Sequence, residues 1–197
     1  VRGTPTDCVI MAVKHIMKEA PPDLVLSGVN RGQNIADDVT YSGTIAAAIE
    51  GTMLGIPSIA LSLAIRYEGP DSIHWETPMQ HGADVVRKLR AAGWPKNVLI
   101  NVNFPDCSPA GVKGITVTSQ GQRDQGLLSI VDRMDTRGNP YYWFGFERRD
   151  YARPPGTDLR AMVDGFISVT PLHLDQTHEE TARALMGKLG ELATPKG

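Results

Sequence analysis

Two short apolar runs bracket a helical stretch near the start of this chain. Leu24-Val25-Leu26 is followed by a polar loop, then by Ile45-Ala46-Ala47-Ala48-Ile49-Glu50-Gly51, then by Pro57-Ser58-Ile59-Ala60-Leu61-Ser62. Apolar runs of this length, bounded by Pro and Gly, read as strands buried on both faces. The spacing predicts strand over 23–27, helix over 43–54 with Gly55 as its left-handed cap, and strand over 57–62. Strand, helix and strand within about 40 residues make a βαβ unit, whose crossover is right-handed. That commits the chain to an α/β fold with parallel strands. Its polar loop lies at a strand's carboxyl end and a helix's amino end, where open α/β sheets bind ligands.

The flanking sequence extends this pattern. Thr4-Pro5-Thr6-Asp7 is a helix start, with Thr4 as cap, Pro5 at the first helical position and Asp7 where a capping-box acid falls. Pro21-Pro22 ends that helix. Residues 63–75, with Gly69-Pro70, read as a loop. Thr77 to Ala92 has helical periodicity, with Ala83, Val86 and Leu89 inward and Gly93 closing it. Val98 to Asn103 reads as a third buried strand, and Ile115 to Ser119 alternates like an antiparallel one. Ile130 to Arg149 is aromatic around the turn Arg137-Gly138-Asn139-Pro140, which predicts a projecting β-hairpin arm. Gly165 to Leu172 reads as a last strand. Thr177 to Leu192 reads as a terminal helix with Ala182, Leu185, Leu189 and Leu192 on one face. The expected organisation is a core over 1–112, then the arm, a final core strand and a C-terminal helix over 113–197.

Composition narrows the function classes. Lys plus Arg number 20 and Asp plus Glu 22, for a net charge of −2, so there is no electrostatic footprint for a nucleic-acid polymer and no polybasic membrane patch. No apolar run approaches the roughly 18 residues of a membrane span. Cys8 and Cys107 lie far apart and read as reduced thiols, as in a cytoplasmic protein. An exposed aromatic arm reads as an oligomer contact.

The central loop carries most of the candidate chemistry. The amide oxygen of Asn30 is a hard neutral donor suited to Mg²⁺ or Mn²⁺ beside carboxylates, though an Asn in a Gly-rich loop also makes Asx turns. Asp37 and Asp38 form an adjacent acid pair that could share an ion, cap turns or face solvent. Ser42-Gly43-Thr44 opens the helix, where free N–H groups, the helix dipole and two hydroxyls favour an anion; Ser42 also suits a plain N-cap. Asn101 and Asn103 either line the same crevice or cap a loop. Asp158 reads as the cap of a short helix. The GxxxxGK[ST], GxSxG and GxGxxG patterns are absent. His173 and His178 lack the spacing and Cys partners of a zinc site.

Several blocks in one order carry a resemblance. Gly3-Thr4-Pro5-Thr6-Asp7-Cys8, Ser27 to Asn34, Asp38 to Thr44 and Ala47-Ala48-Ile49-Glu50-Gly51 closely resemble the SurE family of metal-dependent nucleoside-monophosphate phosphatases. Asn101-Val102-Asn103-Phe104-Pro105, Gly156-Thr157-Asp158 and Ser168 to Leu172 resemble its later blocks. The resemblance implies a Rossmann-like three-layer core with a mostly parallel sheet, an arm and a C-terminal helix used for oligomerisation as a homodimer or tetramer, and one divalent cation, Mg or Mn. By position it makes Asn30 the metal ligand and, with Ser42, a catalytic residue. Ser42, Gly43 and Thr44 fall at the phosphate-binding position with Asn34 as neighbour. The family's remaining ligands, two consecutive aspartates and a Ser, lie upstream of the Gly-Thr-Pro block, so about 60 further residues are expected before Val1. Asp37-Asp38 are not those aspartates.

The expected activity is hydrolysis of nucleoside 5′- and 3′-monophosphates to nucleoside and phosphate. The alternatives are a non-catalytic nucleotide-binding or oligomerisation fragment and a serine hydrolase using Ser27 or Ser42.

Overall fold

The computed structural model describes residues 1–65, 73–124, 128–146 and 152–189. Helix α1 (Pro5–Met11) starts as its residues dictate: Thr4 caps it, Pro5 sits in the first turn, and Asp7 reaches back to the cap. A π-helical turn, Ala12–Ile16, continues it. Strand β1 (Val25–Arg31), helix α2 (Gly43–Met53) and strand β2 (Ser58–Leu63) form the βαβ unit, with β1 and β2 parallel. Gly55 follows α2 at φ +81°.

Helix α3 (Glu76–Ala92) leads to strand β3 (Val98–Phe104), which is parallel to β2. Next come β4 (Ile115–Val117), the hairpin β5 (Leu128–Met134) and β6 (Pro140–Phe146), α4 (Asp158–Asp164), β7 (Ile167–His173) and α5 (Glu179–Leu189). The main sheet has the order β1-β2-β3-β7-β4, and β5-β6 is a separate antiparallel pair.

One face of the sheet packs Ile59, Leu61, Leu63, Val102 and Phe104 against Val85 of α3. The other packs Ala60, Leu99 and Leu172 against Ile45 and Ala48 of α2. Full burial of a side chain such as Phe104 contributes about 2–3 kcal/mol over leaving it exposed.

Five expectations change. β1 is not buried on both faces: it is an edge strand of the main sheet, none of its residues is buried, and Leu26 is half-exposed. β1 does not stop at Ser27 but runs to Arg31, so Asn30 is a strand residue and not a loop residue. The extension passes through a bulge: Ser27 pairs with Ala60 and Asn30 with Ser62, leaving one extra residue in β1. Gly28, at φ +134°, permits it, because a Cβ there would collide with the Leu61 carbonyl. β4 pairs parallel to β7, not antiparallel; β7 has already reversed direction against β3. In α3 the buried residues are Thr77, Pro78 and Val85, while Ala83 is exposed. The cap of α4 is Thr157, whose side chain accepts the N–H of Arg160, and Asp158 is the first helical residue. The Gly69-Pro70 turn, residues 147–149 of the arm and Leu192 lie outside the described residues.

Candidate active site at the carboxyl ends of the parallel strands

Strand register places polar residues side by side. Asn30 pairs with Ser62, Ser62 with Asn103, and Asn103 with Ser168. Alternation turns Ser62, Asn101, Asn103, Ser168 and Thr170 to the same face as Ala60 and Leu99, the side covered by α2. All five are buried. The half of this face nearest the strands' carboxyl ends is therefore held by hydrogen bonds where the other half is apolar.

The loop after β1 closes over that polar patch. Asn34 is gripped through its backbone: its N–H donates to Oδ1 of Asn103 at 2.9 Å, and its carbonyl accepts from Nδ2 of Asn101 at 2.8 Å and of Asn103 at 3.1 Å. Its own Nδ2 donates to Oγ of Ser62 at 2.8 Å. Asn103 Nδ2 also reaches Oδ1 of Asn101 at 3.3 Å. On the neighbouring strands, Thr118 Oγ1 lies 2.7 Å from the hydroxyls of both Ser168 and Thr170. Buried polar groups of this kind are tolerable only when each has a partner.

Asn30 makes a local bond, its Nδ2 donating to the Gly32 carbonyl at 2.8 Å. That orients Oδ1, which has no hydrogen-bond partner among the described residues. At the start of α2, Ser42 Oγ accepts the Ile45 N–H at 3.1 Å, so the N-cap is real. The N–H groups of Gly43 and Thr44 sit in the first turn, where no intrahelical acceptor exists. Ser42 also lines a groove of about 630 Å³ with Thr40, Ile45, Ile49, Leu172 and Gln120. No His is hydrogen-bonded to Ser27 or Ser42 among the described residues, so neither serine has the base that a hydrolase nucleophile needs.

The chain resembles known proteins along its length. The family model described as "Survival protein SurE" matches residues 1–126. The chain belongs to the SurE family. It is 62% identical over 196 residues to "5'-nucleotidase SurE" of Parvibaculum lavamentivorans, spanning 100% of this chain and 71% of that protein. It is 62% identical over 179 residues to the protein of the same name from Azorhizobium caulinodans, spanning 91% and 70%. The crystal structure of the SurE protein from Aquifex aeolicus superposes with a TM-score of 0.80 at 39% identity, covering 96% of this chain and 74% of that one. The Rossmann-like α/β core implied by the sequence is the fold this SurE chain has.

Within this SurE chain, the residues singled out from sequence fall into two groups. Asn30, Asn34, Asn101 and Asn103 meet at the strand ends; Ser42, Gly43 and Thr44 stand at the amino end of α2. Asn101 and Asn103 act as loop clamps. Asp37 and Asp38 are engaged by Arg123: Asp37 Oδ2 accepts its backbone N–H at 2.8 Å, and Asp38 Oδ1 accepts its Nε at 3.0 Å, with Nη2 on Oδ2. Arg123, Ser62 and the Thr118-Ser168-Thr170 cluster escaped the sequence reading. Their partners lie tens of residues away, and no local spacing marks them.

The donor set is insufficient for Mg²⁺ or Mn²⁺ by itself. Asn30 offers one neutral oxygen, the acid pair is bonded to Arg123, and no three His, Cys, Asp or Glu side chains cluster among the described residues. Such ions need several oxygen ligands, usually with one or two carboxylates.

Proposed function

We propose that this chain is a 5′-nucleotidase, hydrolysing nucleoside monophosphates to nucleoside and phosphate. The observation that carries the reading is 62% identity across the whole chain to a relative named 5'-nucleotidase SurE. Two local features agree with it: the first-turn N–H groups of α2 beside the Ser42 and Thr44 hydroxyls, and the polar strand ends.

In this reading the phosphate docks at the start of α2. The Gly43 and Thr44 N–H groups and the helix dipole attract its oxygens. Ser42 Oγ already accepts from Ile45, so its hydroxyl hydrogen is available to a phosphate oxygen. Gly43 is exposed and leaves room for close approach. These groups favour the charge that builds on the equatorial oxygens during in-line displacement. Asn34, whose backbone is fixed by two asparagines, borders the phosphate.

The reading also gives Asn30 to a divalent ion, Mg or Mn, through Oδ1. The described residues do not complete that site. Activity on 3′-monophosphates, self-association through the arm and α5, and a cytoplasmic location belong to the same proposal. Two free cysteines suit a reducing compartment. Among the described residues, no helix is long and apolar enough to cross a membrane.

The test is phosphate release from 5′-AMP and 3′-AMP by the full protein with Mg²⁺ or Mn²⁺. Turnover of 5′-AMP supports the reading. Saturable AMP binding without turnover by a folded protein overturns it in favour of a nucleotide-binding module.

A further inference from the structure

The segment between the two halves of the site is gripped from far away in the chain. Ala36 has φ +52°, a left-handed conformation that a residue with a Cβ keeps only when its surroundings impose it. The surroundings are explicit. Its N–H donates to Oδ2 of Asp158 at 2.9 Å, and its carbonyl accepts Nε2 of Gln120 at 3.0 Å. The next residue, Asp37, accepts the Arg123 N–H, and Asp38 takes the Arg123 guanidinium on both carboxylate oxygens. Asp158 is fully buried and uses Oδ1 for the N–H groups of Gly121 at 2.9 Å and Leu159 at 2.7 Å. Asp158 N–H in turn donates to the Ser119 carbonyl at 2.9 Å.

Three consecutive loop residues, Ala36, Asp37 and Asp38, are thus tied to the two roots of the hairpin arm. The outgoing root supplies Gln120 and Arg123; the returning root supplies Asp158. The tied residues lie between Asn34 and Ser42, where any slack would change the spacing of strand ends and helix start.

We propose that Arg123 and Asp158 are positioning residues for the active site, fixing the 36–38 turn so that Asn34 and the amino end of α2 face one ligand at a set separation. The ligand rests on the 5′-nucleotidase reading; the clamp does not. The Arg123 and Asp38 side chains are mostly buried, at 16% and 31% exposure, so removing one partner leaves the other poorly solvated and costs stability as well. The pair's two-pronged geometry also fixes orientation, which a Lys cannot reproduce. Displacing a binding group by an ångström can lower a rate on the order of a hundredfold.

The experiment compares Arg123→Ala, Arg123→Lys, Asp38→Asn and the Arg123→Ala/Asp38→Asn double variant in the full protein, by AMP hydrolysis and amide hydrogen exchange. In Arg123→Ala, kcat per folded molecule is expected to fall roughly ten- to a hundredfold, at a temperature below a Tm that itself drops as Asp38 loses its partner. Lys should restore only part, and the double variant should be no worse than Arg123→Ala. Exchange of amides 36–45 should rise about tenfold or more while β2 and β3 keep wild-type protection. Wild-type exchange over 36–45 in Arg123→Ala overturns the clamp. Unchanged kcat, or a fall that tracks the folded fraction, overturns the positioning role. If the wild type turns over no nucleoside monophosphate, the function reading fails while exchange still decides the clamp. Should Arg123→Ala not fold, the near-isosteric Asp38→Asn supplies the same comparison.

Discussion

Asn103 and Asn34 form a reciprocal pair: the Asn103 side-chain amide accepts the Asn34 N–H at 2.9 Å and donates to the Asn34 carbonyl at 3.1 Å. A side chain here does what a neighbouring strand would do for the loop backbone. Both groups are buried, so they depend on each other in place of water. Asn103→Leu removes both partners while keeping the volume. The Asn34 carbonyl keeps the Asn101 amide, so the stranded group is the Asn34 N–H; a buried donor left without a partner costs about 1–3 kcal/mol, and a loss of about 2 kcal/mol is expected in urea unfolding. Asn103→Asp should also destabilise, because a carboxylate would face the Asn34 carbonyl without a donor. A loss below about 0.5 kcal/mol in both variants would remove the clamp from the stability of this loop.

Ser42 has two tasks that one substitution set separates. Its Oγ caps α2, and Ser42→Ala should cost about 1 kcal/mol of stability. Ser42→Asp retains a cap acceptor and places a negative charge where the phosphate is proposed to dock. The Asp variant should keep near-wild-type Tm yet lose inhibition by inorganic phosphate by at least about tenfold. Phosphate inhibition equal to wild type in both variants would move the anion away from this helix.

Asn30 is the candidate with the sharpest metal readout. If Oδ1 ligates a divalent ion, Asn30→Ala should raise the Mn²⁺ concentration for half-maximal activity by about tenfold or more, since a missing ligand weakens a hard-cation site. The Nδ2 bond to Gly32 is local, so Tm should barely move. An unchanged metal dependence would take Asn30 out of the coordination sphere.

Asp7 supplies the acid-side prediction. Hydrogen bonds from the Thr4 backbone and hydroxyl hold its carboxyl below the usual range. The folded value lies under the unfolded one, so the stabilisation is complete above about pH 4 and is lost as pH falls through the folded value. Thermal melts between pH 7 and pH 2 should show Asp7→Asn with a shallower acid decline than wild type. Parallel curves would mean that the cap contributes nothing that titrates.

The hairpin exposes apolar side chains on both strands, including Ile130, Met134, Trp143 and Phe144. Such a surface on a two-stranded ribbon fits burial against another copy of the chain. Trp143→Ser/Phe144→Ser should shift sedimentation toward a smaller species with the core melt preserved. An unchanged mass would exclude these two residues from the contact.

The sequence announced the βαβ unit, the α1 cap and the helix start at Ser42 because each depends on neighbours within a few residues. Ile59 to Leu61 could hardly be anything but a buried strand, whereas the equally apolar Leu24 to Leu26 leads into a strand at the sheet's edge and leaves Leu26 half-exposed, because no local spacing says how many neighbours a strand will have. The end of β1 was hidden, since Gly28 looks like a strand terminator and is instead the residue that allows a bulge. Asp158 looked like a cap for the same local reason; its partners Ala36 and Gly121 become neighbours only in the folded chain. Asn101 and Asn103 were visible as candidates, but their choice between ligand and loop depends on where Asn34 arrives. Ser62 gave no signal, as small polar residues in apolar runs are common in strands, and Thr170 stood only within a block resembling the family, with nothing local to tie it to Thr118.

The arm leaves and re-enters the core at nearly one point, since Ser119 and Gly121 are each bonded to Asp158. A segment whose ends are already joined costs the fold little when its length changes. The hairpin can therefore be shortened, lengthened or exchanged for another module without shifting the register of a single sheet strand. Assembly and substrate handling can diverge on separate evolutionary clocks, provided that the splice falls outside Arg123 and Asp158.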